Sequence, residues 1–274
     1  MSPKFTTSEN TIKSLKCLQY AGTAEEVQEI KKLLQMVAST PTGQKILKDN
    51  ELIDMPTTLS FVSSFESGIR GRFSWLRDTN TCAIQLLKVA TNLPEMTEEM
   101  RLKAQILMAI GLAHELQHRA DVFKNNQLSI NASNINESVV AVTLCEIHAF
   151  TNGDQVGKEL RAQHDMLDKI VVHGQEFVES IAPPSIDRKK RAFTCIFLGK
   201  NPTFKRYMNS IRRRTAKHKY PPFDFNRTLA FRTGVENYLQ EMQIPMSYDE
   251  VMQLVTQSVK LLPAAKIQSE KRDR

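Results

Sequence analysis

The stretch that most narrows what this chain can fold into runs from Ala109 to Asp121, Ala-Ile-Gly-Leu-Ala-His-Glu-Leu-Gln-His-Arg-Ala-Asp, where His114, Glu115 and His118 stand inside an apolar helical run. Ile106, Leu107, Ile110 and Ala113 give that run one apolar side, so the helix is expected to be buried. Two histidines four positions apart lie about 40° apart around a helix axis and one turn from each other, so both imidazoles can reach one ion. A glutamate buried beside them without a partner would cost several kcal/mol, about 2–7 for a polar group and more for a charge. A bound cation removes that objection, and the fold must therefore bring a further ligand to this helix.

His-Glu-x-x-His is the pattern by which zinc peptidases bind Zn²⁺ through both histidines, with the glutamate taking a proton from the water that the metal activates. The pattern assigns His114 and His118 as metal ligands and Glu115 as the catalytic base. Arg119, directly after the second histidine, stands where an uncharged residue is usual, and it is expected to snorkel from the helix edge.

A catalytic zinc keeps three protein ligands and a fourth position for water. Cys17, Cys82, Cys145 and Cys195 are far apart and form no C-x-x-C pair, so a carboxylate or histidine downstream is sought. Glu137 follows His118 by 19 positions and Glu146 by 28. They are nine residues apart, about 180° around a helix, so only one can face the metal. Glu137 stands at the expected start of its helix, where a carboxylate has an ordinary role. Glu146 stands in an apolar run with Val139, Val142, Thr143 and Phe150 on its side, and is the preferred third ligand. His148, His164, His173 and His218 remain as candidates for stabilising an oxyanion, with no geometric reason to choose one.

Upstream, Thr23-Ala24-Glu25-Glu26 reads as a capping box that opens a helix to about Ser39. Thr40-Pro41-Thr42-Gly43 breaks it, and a short helix follows through Ile46 and Leu47. Thr57 to Val62, Gly71 to Leu76 and Thr81 to Leu86 read as strands of a small, mainly antiparallel sheet packed on the His-Glu-x-x-His helix, whose edge strand could bind substrate by β-addition. Pro94 and Thr97 begin the central helix, a loop rich in Asn and Ser follows Phe123, and a second long helix runs from about Asn136 to His164, weakened by Gly153 and Gly157.

The net charge of +7 is uneven: residues 183–274 carry 19 Lys and Arg against 8 Asp and Glu, leaving a net of −4 for residues 1–182. Arg188-Lys189-Lys190-Arg191 and Arg212-Arg213-Arg214 with Lys217 and Lys219 concentrate it, and a last helix is expected near Tyr248 to Leu262. Two regions follow: 1–182, a zincin-like domain, and 183–274, basic and mainly helical. Thin aromatic interleaving, Tyr207, Tyr220, Phe223 and Phe225, argues against nucleic acid and leaves an acidic protein surface or anionic lipid as partner. The N-terminus MSPKFTTSENTIKSLK has no apolar h-region, and the run from Ile106 to Ala113 is too short to span a membrane, so a soluble, cytoplasmic chain is expected.

Taken in order, Ala38-Ser39-Thr40-Pro41-Thr42-Gly43-Gln44-Lys45-Ile46-Leu47, the strand-rich stretch, Leu112-Ala113-His114-Glu115-Leu116-Gln117-His118 and Glu146-Ile147-His148-Ala149 resemble gluzincin-type zinc metallopeptidases found among bacterial secreted effector proteins. The similarity covers about residues 25 to 165; Arg119 and Ile147-His148 depart from the family pattern. The resemblance implies an α+β, mostly helical fold, Zn²⁺ held by His114, His118 and Glu146, Glu115 as base, and a zinc endopeptidase delivered without a cleaved signal peptide to act on a host protein. The alternative is a non-catalytic binding protein that works through its basic C-terminal region.

Overall fold

The computed structural model describes residues 15–65, 71–76, 78–89, 95–124, 127–163, 186–198, 200, 220 and 224–260. Of the residues singled out above, His164, His173, His218, Arg212 to Arg214, Lys217 and Lys219 lie outside the described residues, as do the side chains of Arg188 and Lys189. The chain divides into two compact units, Met1–Ile130 with Leu144–Glu179, and Asn131–Thr143 with Ser180–Arg274.

The first unit opens with strand β1 (Leu18–Ala21), then helices α1 (Ala24–Ala38) and α2 (Pro41–Glu51), strands β2 (Thr57–Val62), β3 (Gly71–Leu76) and β4 (Thr81–Leu87), and the long helix α3 (Glu98–Phe123). A short helix α4 (Leu128–Asn131) leads to α5 (Ile135–Ala162), inside which the division between the units falls. Thr23 caps α1 in the expected box: its hydroxyl accepts from the Glu26 N–H at 3.3 Å and its own N–H donates to Glu26 Oε2 at 3.0 Å.

The Thr-Pro-Thr-Gly sequence ends one helix and starts the next within two residues. Thr40 accepts from the Gly43 N–H at 3.0 Å, Pro41 takes the first helical position where no N–H is needed, and Glu159 of α5 accepts from Thr42 N at 3.0 Å and Thr42 Oγ1 at 2.7 Å. Gly43 is obligatory, since a Cβ there would sit 1.9 Å from the Val37 carbonyl oxygen.

The four strands are ordered β1-β2-β4-β3. This sheet is mixed, which corrects the expected antiparallel arrangement: β1–β2 and β2–β4 are parallel, and only β3–β4 is antiparallel. The reason is topological. Helices α1 and α2 carry the chain back from β1 to a parallel β2, and β3 makes its hairpin with β4 at the outside, so that β2 and β3, neighbours in sequence, are not paired. Leu59, Ile84 and Leu86 form one face of the sheet and join a single core with Ile30, Leu33 and Leu34 of α1, Ile46 and Leu47 of α2, Ile106, Leu112 and Leu116 of α3, and Val156 and Leu160 of α5. Burial on this scale, at about 25 cal/mol per Å² of apolar surface, is what fixes α3 against the sheet.

In the second unit, α6 (Ile186–Phe197), α7 (Phe225–Glu241) and α8 (Tyr248–Lys260) are helical, and no helix among the described residues is long and apolar enough to cross a membrane. Phe193, Ile196 and Phe197 of α6, Phe231, Val235 and Tyr238 of α7, and Val251 and Val255 of α8 are buried. Asp224 caps α7 by accepting from Asn226 N at 2.8 Å, and Ser247 and Glu250 form a reciprocal cap on α8 that also takes Lys190 at 2.6 Å. Helix α7 has no counterpart in the sequence reading.

Candidate metal centre

Helix α3 is capped by Thr97, whose hydroxyl accepts from Met100 N at 3.2 Å, with Glu98 and Glu99 in its first turn. From that fixed start it carries His114 and His118 on one side, one turn apart. Their rings meet edge to face at 4.6 Å between centroids, and the two Nε2 atoms are 3.0 Å apart. Helix α5 brings Glu146 to the same point, its Oε2 lying 3.5 Å from His114 Nε2 and 3.2 Å from His118 Nε2. The helices approach closely because of Gly153, where a Cβ would be 3.3 Å from the Ile110 carbonyl oxygen and 3.5 Å from His114 Cβ. Phe150, one turn beyond Glu146, packs its ring on His114 at 4.5 Å between centroids.

Of the two glutamates weighed for this position, the structure brings Glu146 to the histidines. Glu137 belongs to the other unit, where its Oε2 accepts from both the N–H and the hydroxyl of Ser133 at 2.7 Å near the start of α5. That is the ordinary N-terminal role of a helix carboxylate.

Three electron-pair donors thus converge, with side-chain exposures of 14, 14 and 8%. Bond lengths of about 2.0–2.2 Å around a tetrahedral ion place neighbouring ligand atoms about 3.3–3.5 Å apart. The separations of 3.0, 3.2 and 3.5 Å lie at or within a few tenths of an ångström below such an edge, so the group can hold a metal ion. Two imidazole nitrogens facing each other have one other way to be satisfied, which is to place a proton between them. Burial alone would lower the His118 pKa, but the adjacent Glu146 carboxylate outweighs it and lifts the value to about 9. Burial would raise Glu146, and the two histidines more than offset it, holding the carboxyl well below its usual range.

Glu115 points toward the sheet. It is 6% exposed, and burial raises its pKa against the opposing influence of His114 and His118. Its carboxylate lies where Gly71 has no side chain: a Cβ on Gly71 would meet Oε1 at 2.7 Å.

On the other side of the ligands a buried polar network ties α3 to α5. Asp121 Oδ1 accepts from Gln117 Nε2 at 2.8 Å and pairs with His148 Nδ1 at 3.0 Å, and Asn152 Nδ2 donates to Gln117 Oε1 at 2.8 Å. His148 is two positions from Glu146, about 200° around the helix, so it faces away from the ligand group and its Nδ1 is committed to Asp121. Asp121 and Asn152 were not singled out from the sequence; the legible signal was Asp121 four positions after Gln117 on a buried helix.

Arg119 does not snorkel. It is fully buried and donates through Nε to Thr57 Oγ1 at 2.7 Å, through Nη1 to Asn50 O and Oδ1 at 3.1 and 2.9 Å, and through Nη2 to Ile53 O and Met55 O at 3.2 and 2.8 Å. A stem exposed at the helix edge could not satisfy five donors, whereas the turn from α2 into β2 presents a ring of carbonyls that can. Asn50 Nδ2 adds a bond to Leu116 O at 3.0 Å. The helix that carries the ligands is thereby pinned to the start of β2.

In the second unit, Lys190 and Arg191, with Thr194, Cys195, Leu198 and Lys200, line a cavity of about 480 Å³. No protein family, curated protein or solved structure matches the chain.

Proposed function

We propose that the chain is a zinc-dependent endopeptidase of zincin-like architecture that hydrolyses a peptide bond in a protein substrate. The observation that carries this reading is the convergence of His114 Nε2, His118 Nε2 and Glu146 Oε2 within 3.0–3.5 Å beside a buried Glu115. Two imidazoles and one carboxylate are the donor set of catalytic zinc sites that leave a position for water. Zinc held there supplies a water of pKa about 7 and polarises a carbonyl oxygen.

The chain's own groups do the rest. His114, His118 and Glu146 orient the ion, and the Asp121–His148 pair with Gln117 holds α3 and α5 in the register that keeps them together. Glu115 accepts the proton of the attacking water and returns it to the departing amine. Burial holds its pKa above the ordinary carboxylate range, which makes it a stronger base toward that proton. The outer edge of β3, beside Glu115, offers backbone donors and acceptors to an extended peptide.

Metal analysis of the purified full-length protein, with cleavage of a protein lysate by wild type and Glu115→Ala, tests the reading. Stoichiometric zinc in wild type, its loss in Glu146→Ala but not in Glu137→Ala, and cleavage products that vanish in Glu115→Ala are expected. Wild type without zinc, or products unchanged in Glu115→Ala, overturns it.

A further inference from the structure

Gly111 of α3 and Gly153 of α5 both stand inside helices that carry the candidate ligands, and only the second has a steric reason to be there. A Cβ on Gly111 would meet nothing nearer than Leu86 Cδ2 at 4.0 Å. A Cβ on Gly153 would press on the Ile110 carbonyl oxygen at 3.3 Å, on His114 Cβ at 3.5 Å and on Ile110 Cγ2 at 3.7 Å. Glycine is among the poorest helix formers, so its place inside α5 needs a compensating gain. The approach of α5 to the backbone that carries His114 supplies one.

Gly153 follows Glu146 by seven positions, about 20° short of two full turns, so the two share one side of α5. On the neighbouring side, Asn152 donates to Gln117 at 2.8 Å and His148 pairs with Asp121 at 3.0 Å. These bonds tie the helices together beyond His114, so a side chain at position 153 would open them at the Ile110 end and carry His114 away from α5. The 3.5 Å edge from His114 Nε2 to Glu146 Oε2, already the longest of the three, would lengthen. The 3.0 Å edge within α3 and the 3.2 Å edge from His118 to Glu146, beside the tie, would hold.

The spacing of three donors sets the size of the ion they can share: edges of about 3.3–3.5 Å suit bonds of about 2.0–2.2 Å, and wider edges suit longer bonds. We propose that Gly153 is a positioning residue that sets the ion size of this centre, keeping the three donors close enough for an ion of zinc's size and too close for larger divalent ions to compete. This inference rests on the reading of the site as a metal centre, and not on peptide hydrolysis.

Competition with a chromogenic chelator, applied to full-length wild type, Gly153→Ala and Gly111→Ala, measures the affinities for zinc and for cadmium. Cadmium makes longer bonds to the same donors, so the ratio of the two affinities reads the width of the site. Gly153→Ala should bind zinc about tenfold more weakly while keeping cadmium within about threefold of wild type, which shifts the ratio toward cadmium. Gly111→Ala gains the same helix propensity without a close neighbour and should keep both affinities. Thermal melts of the metal-free proteins should place both variants within a few degrees of wild type. Equal zinc affinity in wild type and Gly153→Ala overturns the proposal. An equal loss for both ions overturns it too, since Gly153 would then support the site without bearing on ion size, and a matching shift in Gly111→Ala would assign the effect to helix propensity instead. Failure of Gly153→Ala to fold also overturns it, because the close approach would then serve the core and not the centre. Wild type that takes up neither ion overturns the metal reading itself, a result distinct from all of these.

Discussion

His114 Nε2 and His118 Nε2 face each other across 3.0 Å with Glu146 Oε2 within 3.5 Å of both, a geometry that can take either a shared proton or a metal ion. Either occupant joins α3 to α5, but a divalent ion satisfies all three atoms at once. Zinc at about a thousand times its Kd should stabilise the fold by about 4 kcal/mol, or about 10 °C in Tm, and chelation should reverse it. Calorimetry with and without chelator checks this; His118→Ala should show no zinc-dependent shift.

The metal-free protein should depend on pH through the same groups. His118 rises from its ordinary 6.5 to about 9 on folding, so its contribution is complete below pH 6.5 and is lost as pH rises through about 9. Glu146 is lowered from its ordinary 4.5, so its contribution is complete above that value and is lost as pH falls below it. Both are fully present between 4.5 and 6.5, where the metal-free Tm should peak. His118→Gln should flatten the alkaline limb in thermal melts. Because zinc must displace the His118 proton, zinc affinity should rise about tenfold per pH unit below 9.

Arg119 is the buried group whose loss should cost most. Arg119→Met takes the guanidinium donors from Thr57 Oγ1, Asn50 Oδ1 and Ile53 O and leaves Met55 O with the Thr57 hydroxyl alone, and urea denaturation should report a loss of about 3–5 kcal/mol. Arg119→Lys, with three donors on one nitrogen, should recover less than half of it.

At the start of α2 the expected effects differ in size. Gly43→Ala drives a Cβ into the Val37 carbonyl at 1.9 Å, and a backbone atom cannot yield, so several kcal/mol or failure to fold is expected. Glu159→Gln keeps an acceptor for Thr42 but removes the negative charge at the helix N-terminus, for a loss of about 0.5–1 kcal/mol. Chemical denaturation of the two variants distinguishes steric from electrostatic roles.

The sequence made local structure legible wherever short-range chemistry decides it. The Thr23–Glu26 box, the Thr40-Pro41 break, three of the four strands and the two helices that carry the ligands are readable because caps, turns and periodicity act within a few residues. Strand pairing was not readable, since alternation tells which face a residue takes and not which neighbour its strand meets. β1, four residues long with Leu18 as its one buried side chain, gives too short a pattern to register. Glu146 was distinguished from Glu137 by the apolar company it keeps. Arg119 was misjudged for the complementary reason: three of its five acceptors are main-chain carbonyls of residues 50–55, and carbonyls leave no mark in a sequence.

The register that sets Gly71 against Glu115 also limits length variation in this protein. Removing or adding one residue in the Asp78-Thr79-Asn80 turn, with the change absorbed by β3, would slide that strand by one place, turn its side chains to the opposite faces and leave a neighbour's side chain where Gly71 now makes room. A change of two residues would restore the faces and still seat another residue beside Glu115. The hairpin should therefore tolerate only those changes of length that the turn itself absorbs.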